Sequence, residues 1–297
     1  MPKLLRWAAF AAVCCLGLML ATACQNGAKN HGRQTVEWVD DYGQHCQVPL
    51  QPQRVVSLSP AVTEIIFALG ADDLLAGRTD FCTYPPEAAQ IASVGGISNI
   101  NIEQILALEP DLVISGSMVP EKVAHHLNDM GVAMVCVIEK QSVDDLFGNI
   151  EAIGKLIGRA ERADSLNRVL KSRIAGLDTE ASTQRPTAYY VVGFGTGGNF
   201  TAGGNTFIND ILERAGADNI ARDLKGWNIS AEALFDADPD FIVIRREDAE
   251  AFAHCRPYTE LTAVRQGRII PVESGTIDLQ VPRNIDAILQ LREAFGR

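Results

Sequence analysis

Two kinds of side chain, in segments that read as loops, could contact a ligand. The aromatic residues Phe81, Tyr84 and Trp227 could cover a large planar or apolar molecule. Two adjacent arginines, Arg245 and Arg246, follow an apolar run. In an acidic chain this pair indicates an anionic ligand, such as a carboxylate- or catecholate-bearing chelate. Two alternatives stay open: the aromatic residues pack within the protein, and the arginines face solvent beside the two acidic residues that follow them.

The motifs that could support catalysis are incomplete. Residues 193–198 fit the G-x-G-x-x-G pattern after an expected strand at 188–192. A dinucleotide site needs a helix to begin at the last glycine, whereas residues 199–204 intervene before Thr206. A secreted hydrolase, the enzyme alternative, needs a nucleophile, a histidine base and an orienting acid, and no G-x-S-x-G segment occurs. We therefore expect a flexible glycine loop, no catalytic residue and no enzyme activity.

The five histidines do not suggest a metal site. His125 and His126 fall in the middle of an expected helix, His31 and His45 precede the expected parallel sheet, and His254 stands alone. No set of three histidines and a carboxylate is apparent, which argues against a receptor for bare zinc or manganese. We predict neither a metal ligand nor a cofactor.

Composition limits the class of protein. The 297 residues are 47% hydrophobic and 21% charged, as expected for a globular protein of one large or two ordinary domains. The formal net charge is −11, and clustered lysine and arginine, which phosphate binding needs, are missing. A nucleic-acid partner is therefore not expected.

The N-terminal segment predicts export and a lipid anchor. Lys3 and Arg6 precede an almost purely apolar stretch at 7–20, and small residues at 21–23 precede Cys24. This order is typical of a secretory signal, and the cysteine resembles a bacterial lipobox. We expect residues 1–23 to be removed and Cys24 to carry lipid, in the periplasm or on the outer face of the cytoplasmic membrane. An uncleaved anchor and a plain signal are the alternatives.

Four cysteines remain after that segment. Cys46, Cys82, Cys136 and Cys255 could form two disulfides in three possible pairings. Cys136 lies inside an apolar run, so we expect it to be a buried thiol.

Apolar runs alternate with helical patterns over the first half of the chain, which predicts a parallel sheet. Ser59 offers an N-cap and Pro60 a first helical residue for a helix that ends near Gly70. The expected elements are a hairpin at 36–39 and 46–48, strands at 54–58, 112–115 and 132–138, and helices at 63–69, 102–108 and 121–129.

The segment 142–178 has the pattern of one long helix. Ser142 and Asp145 form a capping box, and apolar residues recur at helical spacing as far as Leu170. Gly154 and Gly158 weaken the pattern only slightly. Such a helix would be on the order of 50 Å long and would join two lobes.

The second half of the chain repeats the first. Residues 101–114 align without gaps onto residues 230–243, and each stretch is a cap, a short helix, an acid-Pro-Asp turn and a buried strand. We predict two related lobes. The expected organisation is a signal at 1–23, an N-terminal α/β lobe at 24–141, a linking helix at 142–178 and a C-terminal α/β lobe at 179–297.

Four motifs carry a resemblance to a known family. Residues 54–64 (RVVSLSPAVTE), 80–86 (DFCTYPP), 94–96 (VGG) and 108–114 (LEPDLVI) resemble the cobalamin and iron-siderophore class of ABC-transporter substrate-binding proteins. The resemblance runs from about residue 36 to the C-terminus and is looser in the second half. It implies two Rossmann-like lobes joined by one rigid helix, with a ligand in the cleft between them.

The resemblance also implies partners. The family docks onto a permease, which works with an ATPase, through one glutamate on each lobe, and the matching residues are Glu103 and Glu232. The alternative for each glutamate is stabilisation of a helix N-terminus. Ile97 and Phe81 stand where cobalamin binders often have Trp and Tyr, whereas Trp227 matches. We therefore place a ferric siderophore first, then a corrinoid, then haem, and expect a monomer.

Loops after strands line the ligand crevice of open α/β sheets. On that basis the predicted ligand-binding residues are Ser59, Pro60, Phe81, Tyr84, Met118, Phe194, Trp227, Arg245 and Arg246.

Overall fold

The first strands form a hairpin and a parallel sheet. A computed structural model of the chain describes residues 34–97, 99–116, 119–177 and 185–296. Five of the six strands in this half confirm the predicted strands to within two residues, and the sixth, Leu75–Arg78, was not predicted from the sequence. The six strands are β1 (Thr35–Val39) and β2 (His45–Pro49), which pair antiparallel, and β3 (Val55–Ser57), β4 (Leu75–Arg78), β5 (Leu112–Ser115) and β6 (Ala133–Cys136), which form a parallel sheet in the order β4-β3-β5-β6.

A second parallel sheet follows in the C-terminal half. Its strands are β7 (Thr187–Val191), β9 (Asp218–Asn219), β11 (Phe241–Arg245) and β12 (Ile269–Val272), in the order β9-β7-β11-β12; β8 (Asn199–Phe200) and β10 (Asn228–Ile229) form a separate antiparallel pair. In both parallel sheets the order is second, first, third and fourth strand along the chain. The mixed α/β class with two lobes is therefore confirmed.

Helices connect the parallel strands, as such a sheet requires. They are α1 (Pro60–Ala68), α2 (Ile102–Ala107), α3 (Glu121–Asp129), α4 (Val143–Leu156), α5 (Ala160–Ile174), α6 (Phe207–Ala215), α7 (Ala231–Ala237), α8 (Arg246–His254), α9 (Thr262–Arg265) and α10 (Asn284–Ala294), with 3-10 turns at Asp72–Leu74, Pro86–Gln90 and Tyr258–Glu260.

The predicted repeat has a matching backbone. α2 and α7 each lead into an acid-Pro-Asp turn, where Glu109 has φ 47° and Asp238 has φ 34°. Among the described residues these are the two non-glycine positions with positive φ. This left-handed conformation is uncommon outside glycine. The same exception at equivalent places supports two related lobes.

The aspartate of each turn also has the same task. Asp111 accepts hydrogen bonds from the backbone nitrogens of Gln53 and Arg54, at 2.9 and 3.0 Å. Asp240 accepts one from the nitrogen of Thr187, at 2.8 Å. Each carboxylate therefore fixes the start of the first strand in its own sheet.

The expected single helix over 142–178 is two helices in the structure. α4 ends at Leu156, the chain turns through Gly158 with φ 67°, and α5 runs back along α4. The side-chain amide of Asn167 donates to the carbonyl oxygen of Phe147 at 2.8 Å, which shows the antiparallel pairing. The apolar spacing continued through the turn because both helices bury one face in the same core. α4 is therefore about 21 Å long.

Gly154 allows the two helices to approach. A Cβ atom at this position would lie 2.5 Å from the Cβ of Ala163 and 3.3 Å from the carbonyl oxygen of Arg159. From the sequence alone, this glycine only lowers the helix propensity slightly. In the structure, the absence of a side chain allows the two helices to pack closely.

α4 occupies the centre of the main apolar core. Alternate residues of the central strands point to opposite faces of each sheet, so Val113 and Ile242 face outer clusters, while Ile114 and Val243 face the shared core. That core joins both sheets to α4, and its members include Ile114, Val135, Ile150, Ile153, Tyr190 and Val243.

The remaining cysteines are free thiols in the structure. Cys46, Cys82 and Cys136 are buried, and Cys255 is partly exposed. Burial raises the pKa of Cys136 to about 11, so its thiol stays protonated at neutral pH. Burial likewise raises the pKa of Cys46. In the part of the chain that the structure describes, no helix has the length and apolar character needed to cross a membrane.

The helix pair can be tested with two glycine substitutions. Gly154→Ala should lower the free energy of unfolding by about 1–3 kcal/mol, because the added methyl group overpacks the contact with Ala163. The control is Gly148→Ala on the same helix, where a Cβ meets nothing within 4 Å. That substitution should stabilise by about 1 kcal/mol. Equal effects in urea-induced unfolding would contradict the helix pair.

The state of the cysteines can be read by alkylation. Iodoacetamide should modify Cys255 in the native protein and reach Cys46, Cys82 and Cys136 only after denaturation, because reaction needs an exposed thiolate. Peptide mass spectrometry gives the extent at each position. Disulfide-linked peptides recovered without reductant would contradict the assignment.

Candidate functional site

The two lobes meet at the carboxyl ends of their strands. Arg283, just before α10 in the C-terminal lobe, contacts Glu64 of α1 and the ring of Tyr84 in the loop after β4. Gln280, nearby in the chain, accepts hydrogen bonds from the backbone nitrogen of Lys140 and the side-chain amide of Asn149, at 3.2 and 3.0 Å. We call these residues, Glu64, Tyr84, Lys140, Asn149, Gln280 and Arg283, the interlobe surface.

A bidentate ion pair lies at this surface. Arg283 Nε donates to Glu64 Oε1 at 2.8 Å, and Nη2 donates to Oε2 at 2.7 Å. The side chains are only 16% and 5% exposed. A third hydrogen bond, 2.9 Å from Nη1 to the hydroxyl of Thr276, fixes the guanidinium plane further. The pair therefore holds a defined geometry.

Burial and pairing act in opposite directions on these two groups. Burial raises the pKa of Glu64 by more than the hydrogen bonds and charge of Arg283 lower it. For Arg283, burial acts to lower the pKa, but the hydrogen bonds and charge of Glu64 outweigh it and the pKa is raised. The arginine therefore stays charged. Sequence analysis missed this pair, because nothing in the spacing of residues 64 and 283 links them.

Three of the predicted aromatic residues are exposed. Phe81 is 59% exposed, Tyr84 44% and Trp227 47%. Tyr84 has the guanidinium carbon of Arg283 3.6 Å from its ring centroid, so one ring face is covered while much of the side chain stays open. Trp227 lies on the C-terminal lobe, where its carbonyl oxygen accepts from the nitrogen of Thr201 at 2.9 Å. These residues are available to a ligand.

Phe194 has a packing role in the structure. It makes edge contacts with Phe252 and Tyr258, with ring centroids 5.2 and 5.8 Å apart. The Tyr258 hydroxyl accepts from the nitrogen of Gly195 and donates to Asn199 Oδ1. The glycine loop then continues into β8, and no helix begins before Phe207. This geometry differs from that of a dinucleotide-binding turn.

The adjacent arginines point to separate carboxylates. Arg245 Nη2 lies 2.8 Å from Asp248 Oδ2 and also donates to the carbonyl oxygen of Val192 at 3.1 Å. Arg246 Nε lies 2.5 Å from Glu273 Oε1. Burial acts to lower the pKa of Arg245, but Asp248 outweighs it and the pKa is raised. Each predicted anion-binding arginine therefore has an acidic partner within the protein.

Ser59 and Pro60 begin α1 as expected. Ser59 is the N-cap residue, but its side chain makes no capping hydrogen bond. Its carbonyl oxygen instead accepts from the hydroxyl of Ser57 at 2.9 Å, and Ser57 also accepts from Thr63 at 2.8 Å. Ser59 is buried and Pro60 is partly exposed. The predicted ligand residue Met118, like Cys24, lies outside the described residues.

The two predicted docking glutamates occupy equivalent positions. Glu103 is the second residue of α2, whose N-cap Asn101 accepts from the nitrogen of Gln104 at 3.0 Å. Glu232 is the second residue of α7, which Ser230 caps in the same way at 3.0 Å. Both glutamates are exposed. Within the described ranges, no group of three or more potential metal-ligating side chains occurs.

The two lobes have the same strand order and are joined through a central helix. Exposed aromatic side chains lie in the loops after their strands, and this architecture is that of a ligand-binding protein. A profile of the family described as "Periplasmic binding protein" matches residues 55–274. The chain therefore belongs to this family, as the substrate-binding component of an ABC importer, and it is not an enzyme.

Individual relatives cover most of the chain. An uncharacterized ABC transporter substrate-binding lipoprotein of Bacillus subtilis is 30% identical, over 86% of this chain and 84% of its own. A cobalamin-binding protein of Halobacterium salinarum is 31% identical, over 82% of this chain and 70% of its own. Among solved structures, the apo form of the periplasmic heme-binding protein RhuT from Roseiflexus sp. RS-1 is 27% identical, with a TM-score of 0.73, and the match covers 82% of this chain and 97% of that one.

Proposed function

We propose that this chain captures a corrinoid outside the cytoplasm and delivers it to the permease of an ABC importer. The observation that carries the proposal is the combination of exposed aromatic side chains with arginines that already have acidic partners. Phe81, Tyr84 and Trp227 offer apolar area for a bulky macrocycle. The cobalamin-binding relative of Halobacterium salinarum supports the same ligand class.

Charge favours a corrinoid over a ferric siderophore, which the sequence alone places first. That order rests on two features: Ile97 and Phe81 depart from the aromatic residues of cobalamin binders, and Arg245 with Arg246 could bind an anionic chelate. Each arginine has a carboxylate within 2.8 Å, so part of its positive charge is already balanced within the protein before a ligand arrives. An anionic chelate therefore gains less from these two arginines than it would from unpaired cations, whereas a ligand without net negative charge does not need them.

Haem is the second candidate. The structural relative RhuT is described as heme-binding, and an exposed tyrosine at the interlobe surface is an available axial ligand. Haem has two carboxylates to bind, but the arginines of this site are already paired with acids, and Arg283 covers one face of the Tyr84 ring. These features suit haem less well than a corrinoid. A ferric siderophore is the third.

Delivery requires contact with the permease. Glu103 and Glu232 are exposed at equivalent positions of the two lobes, so they could pair with arginines at matching places on a two-fold permease. We propose them as the docking residues. The N-terminal segment would place the protein near its permease: we propose that residues 1–23 are removed and that a lipid on Cys24 holds the protein at the membrane. We also propose that it acts as a monomer, with an N-terminal lobe that ends at residue 141 and a C-terminal lobe that begins at residue 179.

Ligand class is tested by titration. Cyanocobalamin should quench the fluorescence of Trp227 and bind more tightly than hemin or a ferric catecholate. Trp227→Leu should weaken cyanocobalamin binding by roughly tenfold, because a stacked ring is lost; isothermal titration calorimetry measures this affinity, since the variant lacks the reporting tryptophan. Tyr42→Leu, at a side chain that is 48% exposed in the β1–β2 turn, is the control and should leave affinity unchanged. Tighter binding of the ferric catecholate would contradict the proposal.

Docking is tested by charge neutralisation. The double variant Glu103→Gln with Glu232→Gln should bind ligand normally and fail to support uptake in cells that carry the matching transporter. The control is Glu161→Gln with Glu250→Gln, which removes the same charge from two other exposed positions. Uptake that stays intact in the first double variant, or falls equally in both, would overturn the assignment.

A further inference from the structure

Arg283 joins three elements of the interlobe surface. It belongs to the C-terminal lobe, yet its ion-pair partner is Glu64 on α1, and its guanidinium covers the ring of Tyr84 after β4. Both of these residues lie in the N-terminal lobe. Thr276 supplies a further hydrogen-bond acceptor from the segment after β12.

The three hydrogen bonds determine the orientation of the guanidinium. Two parallel N–H groups face the two oxygens of Glu64, and a third N–H faces Thr276. A lysine at this position would keep the charge but would have neither the planar fork nor a flat face. The geometry therefore depends on arginine and not on positive charge alone.

The guanidinium plane of Arg283 packs against one face of the Tyr84 ring. The Arg283 Cζ atom lies 3.6 Å from the ring centroid, which is a close cation–π contact. Because Arg283 is 16% exposed and Tyr84 44%, the arginine lies beneath the ring and the tyrosine presents its open part to solvent.

We propose that Arg283 is a positioning residue, which together with Glu64 holds the Tyr84 ring in place so that its open face stacks on the bound ligand. The inference rests on the proposed function for the identity of the ligand, but the fixed ring is a property of the ligand-free protein. A preorganised ring lowers the entropy lost on binding, because the side chain is ordered before the ligand arrives.

A merely stabilising ion pair would give a different result. If the Arg283–Glu64 pair only stabilised the fold, substitutions in it would change the free energy of unfolding, and that change would be the same with or without the Tyr84 ring. A positioning role predicts coupling between Arg283 and Tyr84 in ligand affinity. A double-mutant cycle separates the two roles.

The affinity test uses Arg283→Lys, Tyr84→Leu and the double variant, titrated with cyanocobalamin. Each single substitution should weaken binding on the order of tenfold, and the double variant should be no weaker than Tyr84→Leu alone. Tyr84→Phe, which keeps the ring, should bind more tightly than Tyr84→Leu. Losses that multiply in the double variant, or an unchanged affinity in Arg283→Lys, would overturn the proposal.

A second measurement does not depend on a ligand. In protein labelled with fluorotyrosine, the ¹⁹F resonance assigned to Tyr84 should move and change width in Arg283→Lys and in Glu64→Gln, while the resonance of Tyr42 stays unchanged. If Arg283→Lys does not fold, the measurement on Glu64→Gln alone tests the proposal. An unchanged Tyr84 resonance in the folded variants would overturn the proposal. If the resonance changes but the wild type binds no cyanocobalamin, the positioning role holds and only the proposed ligand is wrong.

Discussion

The apolar core that passes through α4 is the constraint on which the structure depends. It continues from the N-terminal sheet, through Ile150 and Ile153, to the C-terminal sheet. Moving one lobe away from the other would expose part of this core, at about 25 cal/mol per Å² of apolar surface. Polar contacts add to the same link, because Asp210 of α6 accepts from the nitrogen of Val143 at 2.7 Å. We therefore expect little movement between the lobes, so that a ligand would fit surfaces that are already in place.

Fixed lobes explain why the charges at the interlobe surface are neutralised within the protein. A buried arginine without a partner would be unfavourable in the ligand-free state, and with little expected movement between the lobes a partner could not be supplied later. Glu64 therefore pairs with Arg283, and the loop arginines have their own acids. Three aromatic side chains, Phe81, Tyr84 and Trp227, stay largely exposed, so under the proposed function we expect shape and apolar contact to contribute most to recognition.

Sequence patterns were sufficient for local structure. The capping box at Ser142 is present with both of its hydrogen bonds, and α3 has the predicted bounds. The repeat was visible because its cap, turn and strand residues act within a few positions of each other. The break at Gly158 was not predicted, since both helices keep their apolar residues on one core and the periodicity continues through the turn. The pair Glu64–Arg283 could not be found either, because 219 positions separate its residues and only the assembled fold brings them together.

The distance between the lobes tests the central claim most directly. Spin labels on Lys122→Cys in α3 and Glu250→Cys in α8, with Cys255→Ser to remove a competing thiol, report this distance by pulsed electron paramagnetic resonance. A rigid connection through α4 predicts one narrow distance distribution in the ligand-free protein and a shift below about 2 Å when cyanocobalamin saturates the site. A broad ligand-free distribution, or a shift well above that value, would contradict a rigid connection through α4.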